Sequence, residues 1–181
     1  MNRIDMLKRL EELERQNVFV LSKKDVEKLF PDEDEKAMEK SLQRMVKDGI
    51  LSKAARGIYV NASAASRNAG RLIEEVAKAL RPGKFCYVSL ESILSEYGVI
   101  SQIPMSRLTV MTTGASGMHE TPYGVIEFTH TKRSIPDVLN RTIFIKGRPL
   151  RIAKKQAAVQ DLLRVGRNTD MIDHEELEEE T

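Results

Sequence analysis

The chain has 181 residues, 41% hydrophobic and 5% aromatic, enough apolar material for one medium domain or two small ones. Its single cysteine, Cys86, excludes an intramolecular disulfide and suits a reducing cytoplasm, and the charge-dotted amphipathic start MNRIDMLKRLEELER speaks against a secretory leader or a membrane span. The net charge of +2 hides a segregation: residues 1–60 hold 13 Lys+Arg against 12 Asp+Glu, residues 61–168 hold 16 against 8, and residues 169–181 hold none against 7.

Met1 to Gln16 form a first helix in this reading, with Ile4, Leu7, Leu10 and Leu13 or Glu14 on an apolar stripe. Val18–Leu21 is a short extended piece. Ser22 caps a second helix over Lys23–Phe30, with Asp25 completing a weak capping box and Pro31 ending it. The acidic run Asp32–Glu35 opens a third helix, where carboxylates favour the positive end of the dipole. Met38, Leu42 and Met45 fall at i, i+4 and i+7 on one stripe. Lys36, Lys40, Gln43 and Lys47 recur on another face, with Arg44 at its edge. Gly49 is placed to stop the helix, and two strand-like pieces follow, Ile50–Ser52 and Gly57–Val60, joined by Lys53–Arg56. Helix, strand, helix, helix and a small basic hairpin make a winged helix-turn-helix over residues 1–61. On a duplex, Lys40, Gln43 and Arg44 would reach base edges, with Lys36 beside them. Lys47, Lys53 and Arg56 would hold phosphates. Because Asp32–Glu35 would repel phosphate, a second possibility stays open, in which the wing docks a protein and never DNA.

Asn61–Ser66, small and polar, reads as a linker; its Asn-Ala-Ser sequon carries no weight without a secretory route. A second domain over residues 67–168 begins with an amphipathic helix, Arg67–Leu80, closed by Arg81-Pro-Gly83. Phe85–Val88 is a strand. Ser89 caps a helix over Leu90–Tyr97, with Gly98 beyond its end. Leu108–Thr112 is a strand, Thr113–Pro122 a turn-rich loop, and Tyr123–Thr131 an alternating strand. Thr142–Ile145 and Leu150–Ile152 flank a hairpin signature, and Gln156–Val165 is the final helix. The overall class is α+β, a winged helix followed by a mixed α/β domain, with residues 169–181 a disordered acidic tail.

Four blocks in order carry a family likeness: Met45–Val60, then Tyr87-Val-Ser-Leu-Glu-Ser-Ile-Leu-Ser-Glu-Tyr-Gly98, then Leu108-Thr-Val-Met-Thr-Thr-Gly114, then Tyr123-Gly-Val-Ile-Glu-Phe-Thr-His130. Together they resemble AbiEi-type antitoxins of type IV toxin–antitoxin systems, over roughly residues 15–165. The resemblance implies a cytoplasmic, non-enzymatic repressor without cofactor. Its winged helix would bind double-stranded promoter DNA at inverted repeats. Its C-terminal domain would counteract a cognate nucleotidyltransferase-type toxin in abortive infection and phage defence. The DNA role passes to Lys40, Gln43, Arg44, Lys47, Lys53 and Arg56; no short motif fixes the antitoxin contacts. A plain regulator without a toxin partner is the alternative.

Signs of catalysis are thin. Thr112–Gly117 lacks the lysine that a phosphate-binding loop needs. His119, His130 and His174 are too dispersed for local metal spacing. Cys86 and His130 have no nucleophile signature around them, and His130 is a structural residue at a strand end. Glu91 and Glu127 lie on separate elements without a partner lysine, which argues for surface roles. The densest cationic group, Arg141, Lys146, Arg148, Arg151, Lys154 and Lys155, is either a solvated face or a patch for a partner or the DNA backbone.

Overall fold

A computed structural model describes residues 1–101 and 106–173 as two compact units, Met1–Leu80 and Arg81 onward. The first contains α1 (Arg3–Arg15), β1 (Val20–Ser22), α2 (Lys23–Leu29), α3 (Glu35–Lys47), β2 (Leu51–Ala55), β3 (Ile58–Asn61), α4 (Ala62–Ala65) and α5 (Ala69–Leu80). Its three strands are antiparallel in the order β1-β3-β2. The core joins Met6 and Leu10 of α1 to Val26 of α2, to Met38, Leu42 and Met45 of α3, and to Leu21, Ile50 and Leu51 around the sheet.

Local signals in the first unit hold through α2 and α3 and depart at α1, at the hairpin turn and at residues 62–66. Ser22 and Asp25 form a reciprocal capping box: the Asp25 N–H donates to Ser22 Oγ at 3.2 Å and the Ser22 N–H to Asp25 Oδ2 at 2.9 Å. α1 buries Met6 and Leu10 with Leu13 packed alongside, and leaves Ile4 and Leu7 exposed. Two apolar stripes overlap on this helix, and the one centred on Met6 faces the core. The hairpin is tighter than the expected four-residue connection. Lys53 is in β2 opposite Tyr59, a register shift between Lys53 and Ala55 absorbs one residue, and Arg56-Gly57 alone make the turn, with Gly57 at φ +74°.

The boundary expected at residues 62–66 moves to Leu80. Asn61 accepts the Ser63 N–H at 3.2 Å and caps α4, whose Ala64 is fully buried, so this stretch is a helical turn. α5 then packs on β1 and β3, with Arg71 5.7 Å from the Phe19 ring centroid.

The second unit contains β4 (Cys86–Val88), α6 (Leu90–Glu96), β5 (Arg107–Thr112), β6 (Gly117–Thr121), β7 (Gly124–His130), α7 (Ile135–Arg141), β8 (Thr142–Ile143), β9 (Arg151–Ala153), α8 (Lys155–Val165) and a 3₁₀ turn (Thr169–Met171). The mixed sheet runs β6-β7-β5-β4-β9-β8, with β5/β7 and β4/β9 parallel. The chain as a whole is α+β. Three elements escaped the sequence pattern, the third being the 3₁₀ turn inside the expected tail. β6 lies inside the expected loop Thr113–Pro122, and its outward Met118 and Glu120 give no apolar alternation. α7 is capped by Ser134, with Pro136 in its first turn. The first residues of the expected tail are ordered: Ile172 is buried and bridges Ile100, and the Asp173 N–H donates to the Val99 carbonyl at 2.9 Å. The remainder of that expected tail, residues 174–181, lies outside the described residues.

At the junction of β4 and α6, Leu90 sits at φ +58° while fully buried. Thr109 clamps this bend. Its hydroxyl donates to the Ser89 carbonyl at 2.6 Å and accepts the Ser92 N–H at 3.0 Å.

Candidate nucleic-acid interface

α3 is strongly two-sided. Met38, Leu42, Met45 and Ser41 are buried, and Lys36, Lys40, Gln43, Arg44 and Lys47 are all exposed on the opposite side. Lys53 and Arg56 are exposed on the neighbouring hairpin. None of the seven is in an ion pair among the described residues. Arg44 donates at long range to the Met1 carbonyl, 3.5 Å, and to Ser41 Oγ, 3.4 Å.

Three of the four acidic residues that open α3 have partners of their own, and Asp32 stays exposed with none among the described residues. Asp34 is the N-cap, accepting the N–H groups of Lys36 at 2.9 Å and Ala37 at 3.3 Å. Glu33 pairs with the Met1 ammonium. Lys23, at the start of α2, bridges Glu39 at 2.8 Å and Glu35 at 3.0 Å. The hydrogen bond to Glu39, then that to Glu35, raises the Lys23 pKa, and the same lysine lowers that of Glu39. Between α3 and the hairpin lies a hollow of about 520 Å³ lined by Lys23, Glu39, Gln43, Lys53, Arg56 and Tyr59. Lys23, Glu39 and Tyr59 were not singled out from the sequence. Their meeting is tertiary, with Lys23 and Glu39 16 residues apart.

The cationic group of the second unit does not form one face. Arg141 donates to Gln160 at 2.7 Å and to the Ala157 carbonyl at 3.1 Å, and pairs with Asp161 at 3.3 Å. Arg148 grips Glu96 with two bonds, 2.7 and 2.8 Å. Arg151 donates to Thr142 Oγ1 at 2.7 Å and to the Thr142 carbonyl at 3.0 Å. Lys146 and Lys154 remain exposed and Lys155 is half-buried; beside them stand exposed Leu139, Ile143, Phe144 and Ile145. A hollow of about 600 Å³ lies here, with Ile143, Lys154 and Lys155 in its wall.

The buried centre of this unit is Asp161, unmarked in the sequence reading. It is fully buried and accepts from Ser89 Oγ at 2.9 Å, Tyr87 Oη at 3.0 Å, and Arg133 and Arg141 at 3.3 Å each. Burial first, then the Asp161 charge, pushes the Tyr87 phenol up. The available signal was its place on the inward face of α8 with Ala157, Ala158 and Leu162.

The acids and thiol considered for chemistry are engaged elsewhere. Glu91 and Glu127 are not surface residues: Arg167 pairs with both, reaching Glu91 at 2.9 and 3.1 Å, and Asn168 donates to Glu91 at 2.8 Å. Burial would raise the Glu91 pKa, but the bonds from Arg167, its own backbone and Asn168 outweigh it and hold the carboxyl below its usual range. Burial pushes the Cys86 thiol up, against a bond to Thr112. Cys86 and His130 pair with the same residue of β5, Thr112, from opposite sides, so a strand separates them. His130 Nδ1 is 2.7 Å from the Gly114 carbonyl, and His119 packs edge-on against Phe128. In the Thr112–Gly117 turn, Thr112, Thr113 and Ser116 accept from the Gly114, Phe85 and His130 N–H groups. His174 lies outside the described residues. Among the described residues no three His, Cys, Asp or Glu converge as a metal site, and no helix is long and apolar enough to cross a membrane.

No family model matches the chain, and no curated protein matches it. Among solved structures it is similar to the crystal structure of the RV2827C protein from Mycobacterium tuberculosis, at 12% identity and a TM-score of 0.51. The match covers 88% of this chain and 60% of that one, so the chain spans under two thirds of that protein. At this identity the likeness is one of fold.

Proposed function

We propose that the chain is a non-enzymatic, cytoplasmic regulator of the antitoxin kind. Its first unit acts as a winged helix-turn-helix on promoter DNA, and its second counteracts a nucleotidyltransferase-type toxin, as in the AbiEi-type antitoxins that its sequence resembles. One observation carries the DNA half: Lys36, Lys40, Arg44, Lys47, Lys53 and Arg56 are exposed with Gln43 on α3 and the adjoining hairpin without internal counter-ions among the described residues, while Glu33, Glu35 and Glu39 are paired with other groups. The positive surface available to phosphate therefore exceeds what the near-neutral count of residues 1–60 implies. Lys40, Gln43 and Arg44 are assigned to base edges, Lys47, Lys53 and Arg56 to phosphates. The test is a gel shift on DNA from upstream of its own reading frame. The Lys40→Ala/Arg44→Ala double variant should lose at least about tenfold in affinity with its melting temperature kept. Undiminished binding would refute the helix assignment.

The antitoxin half is supported by the exposed Leu139, Ile143, Phe144 and Ile145 beside Lys146 and Lys154. Consecutive exposed apolar residues, Ile143 to Ile145, that run into an exposed Lys146 suit a protein surface better than phosphate alone. Phe144→Asp should abolish rescue of growth when the nucleotidyltransferase of an adjacent frame is co-expressed, and leave promoter binding unchanged. Intact rescue would remove this surface from the antitoxin role.

A further inference from the structure

The hollow between α3 and the β2–β3 hairpin holds Lys23, Gln43, Lys53, Arg56 and Tyr59, and among them one carboxylate, Glu39. A cleft that served only to seat phosphate would be weakened by an acid in its wall. Glu39 is held in place: Lys23 Nζ lies 2.8 Å from it and 3.0 Å from Glu35. The lysine hydrogen bond keeps the carboxyl ionised and restricts its rotamers. An ionised carboxylate only accepts hydrogen bonds. In the major groove of a duplex the amino donors are cytosine N4 and adenine N6, and a carboxylate suits cytosine, because adenine also presents the N7 acceptor. Gln43, one helical turn on, shares the cleft.

Building on the DNA-binding reading above, we infer that Glu39 is a specificity-determining residue that accepts from a cytosine amino group in the major groove, while its pairing with Lys23 withholds that cation from phosphate. Lys23 is its positioning residue. Glu35 shares the lysine but lies outside the hollow, which makes it the internal control.

The experiment selects duplexes from a random library with the purified full chain. It then compares dissociation constants for the selected duplex and a scrambled one, for wild type, Glu39→Gln, Lys23→Met and Glu35→Gln. Wild type should fix a C·G pair at one position. Glu39→Gln should no longer fix it, should bind scrambled DNA several-fold more tightly, and should lose about tenfold or more of the selected-to-scrambled ratio. Lys23→Met should also lower the ratio yet weaken scrambled binding, because the carboxylate remains and its cation is gone; a purely structural role would not split the two readouts this way. Glu35→Gln should leave the ratio within about twofold. A Glu39→Gln protein that still fixes cytosine with an unchanged ratio overturns the assignment, as does an equal loss in Glu35→Gln. A wild type that binds both duplexes equally overturns Glu39's role alone, and one that binds neither overturns the DNA reading itself and Glu39's role with it.

Discussion

The two units use charge in opposite ways. Around α3 the cations point outward while Glu33, Glu35 and Glu39 are paired locally, so a stretch with balanced composition presents a more basic surface than its count implies. In the second unit, where the positive excess lies, Arg133, Arg141, Arg148, Arg151 and Arg167 are tied to Asp161, Glu96, Thr142, Glu91 and Glu127. The choice of cation follows: the outward set is mostly lysine, and the inward set is arginine, whose planar fork satisfies carboxylates and carbonyls bidentately. Charge counted along a sequence is therefore a poor guide to charge presented at a surface.

That contrast can be broken at its strongest point first. Asp161→Asn leaves two guanidinium groups without their buried counter-charge and should cost about 3–5 kcal/mol, read as a lower denaturation midpoint. A loss under about 1 kcal/mol would mean the inward arginines are incidental.

A second, smaller effect sharpens the comparison through pH. The folded-state pKa of Glu91 is lowered, so its contribution to stability is full above the unfolded value of about 4.3 and is lost as pH falls through the folded value. Glu91→Gln should cost about 1–3 kcal/mol at pH 7. Wild type and variant should converge in acid, so denaturant titrations at pH 7 and pH 3 check the sign as well as the size. A gap that widens in acid would contradict it.

The smallest effect on stability belongs to the outward set. Lys47→Gln should leave the melting temperature unchanged while flattening the salt dependence of DNA binding by about one unit of log–log slope. If it destabilised the fold as Asp161→Asn does, the division between the two units would collapse.

Local chemistry made the first unit legible. The Ser22–Asp25 box, Pro31, the Met38–Leu42–Met45 stripe and Gly49 each act within a few residues, and each marks its element where expected. The exposed α3 residues were legible for the same reason: a helical period assigns a face without tertiary knowledge. α1 failed because its two apolar stripes differ only in what they meet. In the second unit the decisive contacts span long separations, Asp161 to Tyr87 over 74 residues and Arg167 to Glu91 over 76. No local period encodes those, so β6, α7 and the fate of the arginines were hidden. The carboxylate cleft was half visible: Gln43, Lys53 and Arg56 lay in the pattern, but Lys23 and Glu39 join it only by folding.

Leu90 carries a consequence for how this scaffold tolerates change. A left-handed leucine costs about 1–2 kcal/mol of backbone free energy, which glycine would relieve. Its fully enclosed side chain, however, fills space whose emptying costs about 2–5 kcal/mol. Sequence drift at this bend is thus opposed in both directions, and a library of substitutions here should return leucine with almost no company.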